Sequence, residues 1–436
     1  MFPNPQDALP LPALPNLEQY KKLAKDFAKA ANDSITLHAW IANWISSLVR
    51  LSNVKLTPQL PVDADRWIHL LEEFTIRQKG SSPKFPLTQA QFVLARSHGF
   101  DSWPKFAKHL EALERANNPS SNFERAAEAI VTGDVATLET LLRKNPELIH
   151  ARSSREHRAT LLHYVSANGI ESYRQTTPEN ILQIATLLLE AGAEVDATAD
   201  VYGGGSTTLA LTATSVHPEK AGVQEALLDL LLRHGAAPDH KDHRDLGIVN
   251  ACLANGRPRA AEFLADRGAE LDLAAAAGLG RIREVQAFFD AEGKRIAPAT
   301  QSKMERGFLW ACEYGRNNVV EFLLERNVNV HTDAGTGMTA LHYAVLGAHP
   351  DTITLLLARG ANLETRNTYG GTALGQALWC AVHNQDVDYV PTIKALLQAG
   401  AKIHDSTQSW LSQQKEASPK LKQRLADLLH PPERTP

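Results

Sequence analysis

The chain has 436 residues, 43% hydrophobic and 22% charged, with a formal net charge of −4. Such a composition excludes a disordered or collagen-like chain, and no stretch approaches the roughly 18 uncharged apolar residues of a spanning helix. The negative balance gives no general reason to expect nucleic acid, which demands clustered cations.

In chain order, residues 1–16 form a proline-rich lead running from Pro3 to Pro15. Met1-Phe-Pro-Asn-Pro-Gln carries no basic stretch followed by an apolar core, so a cytoplasmic location is expected. Residues 17–122 read as a helical N-terminal domain. Leu17, Tyr20, Leu23, Phe27 and Ala31 follow helical spacing. Ser34–Arg50 places Trp40, Ile41, Trp44, Ile45 and Leu48 on one face, and Asp65–Arg77 repeats the idea with Trp67, Leu70, Leu71 and Phe74. A helical hairpin follows: Leu87–His98, a stop at Gly99, a cap at Asp101-Ser102, then Trp103–Leu113. Its second helix sets Lys105 and Lys108 against Glu111 and Glu114, which is a poor DNA-reading face. Residues 1–120 hold 14 Lys and Arg against 11 Asp and Glu, leaving 31 against 38 for the rest, which is mildly acidic at −7.

From 123 to 404 one unit recurs. Its clearest copy is Met338-Thr-Ala-Leu-His-Tyr-Ala344 followed by Leu355-Leu-Leu-Ala-Arg-Gly-Ala-Asn362, and Ala311, Ala344 and Ala377 are spaced by 33 residues. A fixed period of this size predicts stacked supersecondary units. Thr at the start of a copy caps a first helix. A second helix ends at Gly192-Ala193, Gly235-Ala236, Gly268-Ala269, Gly360-Ala361 or Gly400-Ala401, where glycine suits the left-handed residue past a helix end. A polar finger such as Glu364–Gly371 leads to the next Thr. Counting less regular copies at Phe123–Ala151, Gly247–Asp272, Leu273–Ile296 and Gly307–Val330 gives eight units. Residues 405–436 read as a C-terminal helical cap and tail.

The repeat resembles the ankyrin family, whose Thr-Pro-Leu-His-x-Ala signature is matched by Thr160-Leu-Leu-His163, Thr207-Thr-Leu-Ala210, Thr339-Ala-Leu-His342 and Thr372-Ala-Leu-Gly375. Proline is absent from all four, and histidine from two. The resemblance implies an all-α ankyrin-repeat solenoid, with His163 and His342 as structural histidines whose rings bond backbone groups. It further implies a protein-interaction module or scaffold with a concave binding surface. Pro15-Asn-Leu-Glu-Gln-Tyr and His98-Gly-Phe-Asp-Ser-Trp103 are similar to the helical segment that precedes repeats in some bacterial ankyrin proteins. A capping role for that segment is expected, since terminal units of a stack must cover an apolar end.

Three units carry extra residues between their helices: 170–177, with Tyr173 and Arg174; 214–222, with His217; and 382–390, with His383. Insertions in the same slot of adjacent units are expected to stand together on one rim, bringing Tyr173, Arg174 and His217 within reach of one another. Tyr202-Gly-Gly-Gly-Ser206 lengthens a finger. Tyr164, Trp310, Tyr314, Tyr343, Tyr369 and Trp379 lie on first helices or finger tips, where aromatic side chains make binding hot spots. About half of these are expected to be core. The expected partner is another protein, bound by a monomer. No catalytic motif, phosphate loop or paired Cys-x-x-Cys occurs. The pairs His240/His243 and His331/Asp333 fall in fingers, so neither metal nor cofactor is expected. Cys252, Cys312 and Cys380 read as buried small hydrophobes. The alternative is an enzyme or small-ligand binder with a pocket at the insertions 170–177 and 214–222, His217 acting as base and Arg174 as anion clamp.

Overall fold

A computed structural model describes residues 4–52, 60–115, 118–241, 246–404 and 406–429. The chain divides into two compact units, Met1–Ala251 and Cys252–Pro436.

The first unit opens with five helices: α1 (Leu17–Ala30), α2 (Ser34–Leu51), α3 (Leu60–Lys79), α4 (Leu87–Ser97) and α5 (Trp103–Leu113). Asn16 and Asp33 accept backbone N–H groups of the first turns of α1 and α2, which fixes where each helix begins. The predicted faces turn inward: Tyr20, Phe27, Ile41, Trp44, Trp67, Leu71, Leu94 and Phe106 form one buried cluster. Within it the Tyr20 and Phe106 rings meet edge to face at 5.0 Å.

Helix pairs follow. They comprise α6 (Pro119–Thr132) with α7 (Val135–Lys144), and a 3₁₀ turn at Leu161–Ser166 with α8 (Ile181–Glu190). Next come α9 (Thr208–Thr214) with α11 (Gln224–Arg233), the insertion between them forming α10 (Val216–Lys220). The lengthened finger is a two-residue ribbon in which β1 (Thr198–Ala199) pairs antiparallel with β2 (Ser206–Thr207). The division between units falls within α12 (Ile248–Ala254), which α13 (Pro258–Ala265) follows in sequence.

The second unit continues with α14 (Leu273–Leu279) and α15 (Ile282–Gln286), α16 (Gln301–Glu313) and α17 (Asn317–Glu325), α18 (Ala340–Leu346) and α19 (Pro350–Ala358), and α20 (Ala373–His383) and α21 (Val390–Gln398). A last pair, α22 (Ser406–Gln413) and α23 (Pro419–Leu429), closes the series. First helices α16, α18 and α20 lie side by side, as do second helices α17, α19 and α21. Small residues at their contacts (Ala311, Ala344 and Ala377, all at 0% exposure) permit the close approach. Leu356 and Ile393, also at 0%, fill the layer between first and second helices.

Among the described residues, eight helix pairs thus precede the closing pair, as the repeat spacing predicts. The predicted second-helix stops agree in detail: Gly192, Gly235, Gly268, Gly360 and Gly400 all sit at φ between 88° and 92°. The first helix of the second pair departs from expectation, being a 3₁₀ turn rather than an α-helix. The insertion at 170–177 follows it directly and contributes a second 3₁₀ turn, Ser172–Arg174.

Candidate functional site: an aromatic groove over residues 338–410

Two histidines set the geometry of the repeats. The Thr160 N–H donates to His163 Nδ1 at 3.1 Å, and the Thr339 N–H donates to His342 Nδ1 at 3.3 Å. A backbone N–H only donates, so each Nδ1 is an acceptor and the proton sits on Nε2. His163 Nε2 then donates to the Ser206 carbonyl at 3.3 Å, and His342 Nε2 to the Gly371 carbonyl at 3.2 Å. Each ring therefore ties its own helix start to the next finger, as expected for the structural histidine. Burial lowers the pKa of both, that of His163 to about 4, and holds the rings neutral.

The insertion at 170–177 does not form the expected rim. Arg174 is 7% exposed, and its guanidinium lies 2.8 Å from Glu124 and 4.0 Å from Glu171. Tyr173 is half-buried against the N-terminal cluster, and its hydroxyl accepts from Arg155 at 3.3 Å. Arg155, 1% exposed, lies 2.7 Å from Glu171, donates to the His98 carbonyl and stands 5.7 Å from the Phe100 ring. Burial pushes the Glu124 carboxyl up, but Arg174 and Arg155 outweigh it and hold the group at about 2. Glu171 is likewise pushed up by burial and pulled well below the carboxylate range by Arg155, His157 and Arg174. This is a paired interior network, because such charges are costly to bury unpaired. His217 sits half-buried on α10, and the cleft that Tyr173 and Arg174 line does not include it. The expectation of an open Tyr173–Arg174–His217 pocket is thus corrected: Arg174 turns inward onto Glu124 and Glu128 of α6, and His217 does not share its cleft.

The aromatic candidates separate cleanly. Tyr164 is fully buried, 5.9 Å from the Arg174 guanidinium, and Trp310 is 6% exposed, so both are core side chains rather than contact residues. Tyr314 is half-buried, with its hydroxyl donating to the Leu253 carbonyl at 2.5 Å. Tyr343 is half-buried against the same core. Tyr202 is exposed with φ +51° and lines a separate cleft of about 1010 Å³ together with Lys108 and Arg158. Its hydroxyl donates to Asn168 at 2.6 Å.

Tyr369 and Trp379 come together. Their side chains are 89% and 53% exposed, and both line a groove of about 870 Å³ on the second unit. Leu346, Leu374, Leu378 and Trp410 supply apolar walls, and Gly370, Gly371 and Gly375 keep the lining open. Arg366, Lys402 and His404 form a polar edge, with the Arg366 guanidinium donating to the Gly370 carbonyl at 2.6 Å. The His383 and Trp379 rings stack with their centroids 4.4 Å apart. Sequence reasoning missed Trp410, Arg366, Lys402 and Gly375. The signal for Gly375 was present, as the loss of histidine in Thr372-Ala-Leu-Gly375.

Among the described residues no group of three or more His, Cys, Asp or Glu side chains is placed to hold a metal ion. His240 bonds the Gly205 carbonyl at 2.5 Å, and Asp333 accepts from the Gly335 N–H at 2.9 Å within its own finger. His243 lies outside the described residues. Cys252, Cys312 and Cys380 are buried thiols outside any disulfide. No helix among the described residues is long and apolar enough to cross a membrane.

Residues 308–407 match the family model for ankyrin repeats (3 copies). The chain is similar to Rabankyrin-5 of Mus musculus, 26% identical over 331 residues that cover 61% of this chain and 27% of that protein. It is similar to ankyrin repeat and SOCS box protein 6 of Pongo abelii, 27% identical over 114 residues covering 26% of each. A stretch of 68 residues, 16% of this chain, is 38% identical to the E3 ubiquitin-protein ligase hecd-1 of Caenorhabditis elegans and covers 2% of it. The chain therefore spans about a quarter or less of these curated relatives. Among solved structures it is similar to the crystal structure of the human ASB11 ankyrin repeat domain, with 21% identity and a TM-score of 0.34 over 64% of this chain and 99% of that one. Apart from Trp410 the groove is built from the matched segment, and helix pairs of the same build precede that segment in the sequence: the chain carries ankyrin repeats, and its fold class is the ankyrin-repeat solenoid.

Proposed function

We propose that this protein is a protein-interaction module whose docking surface is the groove over residues 338–410. The carrying observation is that two exposed aromatic side chains, Tyr369 and Trp379, share one apolar groove of about 870 Å³ inside the ankyrin segment. Rings of this kind bury much area at little entropic cost and dominate interface energetics. In this reading the protein works as a cytoplasmic monomer that recruits another protein. The helices at 17–113 cap the first repeat, in line with their similarity to the segment preceding repeats in some bacterial ankyrin proteins. Nucleic acid and membrane are not partners in this reading, which rests on the net negative charge and on the apolar character of the groove.

Affinity capture from the native host, with the wild-type chain compared against the double variant Tyr369→Ala/Trp379→Ala, tests the proposal. Both side chains project from the fold, so the variant should melt within about 0.5 kcal/mol of wild type. A specific set of proteins should be enriched by the wild type and lost with the variant. Capture that is indifferent to the double variant would move the docking surface elsewhere on the molecule.

A further inference from the structure

The groove opens where the repeat lacks its histidine. His342 and Gly375 occupy the same position of consecutive units, 33 residues apart, as do Gly371 and His404 on the following fingers. His342 fills its site by bonding the Thr339 N–H at 3.3 Å on one side and the Gly371 carbonyl at 3.2 Å on the other. At Gly375 there is no ring. Apart from its chain neighbours and the backbone of its own helix, a Cβ added there would meet only Thr372 Oγ1, at 3.6 Å. The corresponding finger carbonyl, that of His404, accepts instead from the Thr407 N–H at 2.9 Å, turning the chain into α22. The space of one missing side chain is thus continuous with the groove, whose lining includes Thr372, Gly375 and His404.

The charge at this mouth has one sign. Arg366 and Lys402 line the groove, and no carboxylate does among the described residues. The neighbouring Glu364 is tied into the finger: its Oε1 accepts the Lys402 backbone N–H at 3.0 Å, and its Oε2 lies 4.0 Å from His404. This cationic edge belongs to a chain of net charge −4, so it is a local feature. Unlike charges across a docking surface favour encounter and register.

We propose that the occupant of the groove is an acidic peptide segment of a partner protein, which inserts one aromatic or large aliphatic side chain into the space left at Gly375 and sets its carboxylates against Arg366 and Lys402. The anchor takes the place of the absent histidine, packing between Trp379, Leu374 and Trp410. Carboxylates on either side of the anchor fit the cationic edge, and the glycines at 370 and 371 let a peptide backbone approach closely. This inference rests on the interaction reading above and narrows it to one chemistry.

The test uses the full chain and three fluorescein-labelled hexapeptides with a Leu-Phe centre flanked by glutamates, glutamines or lysines, read by fluorescence anisotropy. The glutamate peptide should bind most tightly, and its affinity should fall as salt is raised. Gly375→His should restore the bridge seen at His342, leave melting equal to or above wild type, and weaken that peptide by about tenfold or more, the loss typical of a filled anchor pocket. Trp379→Ala, at a side chain 53% exposed, gives a second route should Gly375→His fold poorly, and it should weaken binding to a similar extent. Lys402→Glu should invert the preference toward the lysine peptide. Equal binding of the three peptides, or glutamate-peptide binding untouched by both Gly375→His and Trp379→Ala, overturns the proposal. If the glutamine or lysine peptide binds best and Trp379→Ala removes it, the acidic assignment fails while the docking surface stands. Absence of binding by all three overturns the present inference, and the docking surface is then judged by the capture experiment alone.

Discussion

The two compact units solve the same packing problem with different interiors. In Met1–Ala251 the core is crossed by charge: Arg155, Glu171 and Arg174 are 1%, 0% and 7% exposed and neutralise one another. In Cys252–Pro436 the buried polar side chains among the described residues are Thr339, His342, Thr352, Thr372, Gln376 and Thr392, none of them Asp, Glu, Lys or Arg. A stack of regular repeats needs only small residues, leucines and local caps. Joining a non-repeating helical segment to the first repeats needs side chains that recognise one geometry, and Arg155 does so by reaching the His98 carbonyl, Glu171 and Tyr173 at once. Such a network specifies an arrangement more than it stabilises one.

The sharpest way to break the contrast is Arg155→Met. It leaves Glu171 buried with its nearest counter-charge gone, and removing one partner of a buried pair costs about 3–5 kcal/mol. Hydrogen exchange should rise across 1–251 far more than across 252–436. An equal rise in both would mean that the network does not define the first unit. In the second unit Leu356→Ala should cost about 2–5 kcal/mol through the cavity it leaves. Its exchange signature should centre on 340–398, because each repeat leans chiefly on its neighbours. A uniform rise along the chain would point to one global core instead.

Acidification should separate the units with less force. Burial holds His109 and His163 at about 4 and His98 at about 3, below the ordinary value of 6.5. The unfolded chain then takes up protons first, so this stability is complete above pH 6.5 and declines as pH falls toward 4. Glu124, held at about 2 by Arg174 and Arg155 against the upward push of burial, and Glu171 beside Arg155 add a second loss as pH falls below about 4.5. In the second unit burial lowers His342 and His349 with the same sign, but it also raises Glu313 to about 7, an opposite contribution whose penalty appears as pH rises through 4.5 to 7 and vanishes in acid. Pulse labelling at a fixed pH, after equilibration between pH 7.5 and 4, should therefore find the first unit opening before the second. The reverse order would contradict these assignments.

The fold was legible in the sequence because repetition reports it many times over. The 33-residue spacing, the threonine caps and the Gly-Ala stops are local signals, and each was confirmed at the backbone. The site was legible only in part. Tyr369 and Trp379 were recognisable as aromatic residues at finger and helix positions, yet so were Tyr164 and Trp310, and what separates them is the packing of neighbouring layers. Arg174 was misread for a related reason. A charged residue in an insertion looks solvated until Glu124, fifty residues earlier in the chain, is found 2.8 Å away. Gly375 shows the opposite case, where a departure from the repeat pattern marks the opening of the groove.

The bridging histidines offer something further, a pair of built-in clocks. His163 and His342 each hold a neutral ring in a single tautomer, with the pyrrole-type nitrogen at Nε2 and the pyridine-type nitrogen at Nδ1. Those two nitrogens are distinct in an NMR spectrum, and the Nε2 proton can leave for solvent only when the ring lets go of the next finger. Its exchange rate is thus a direct count of how often one repeat parts from its neighbour. One clock stands in each unit, so the breathing of the charged interior and of the apolar one can be timed within the same molecule, without a mutation.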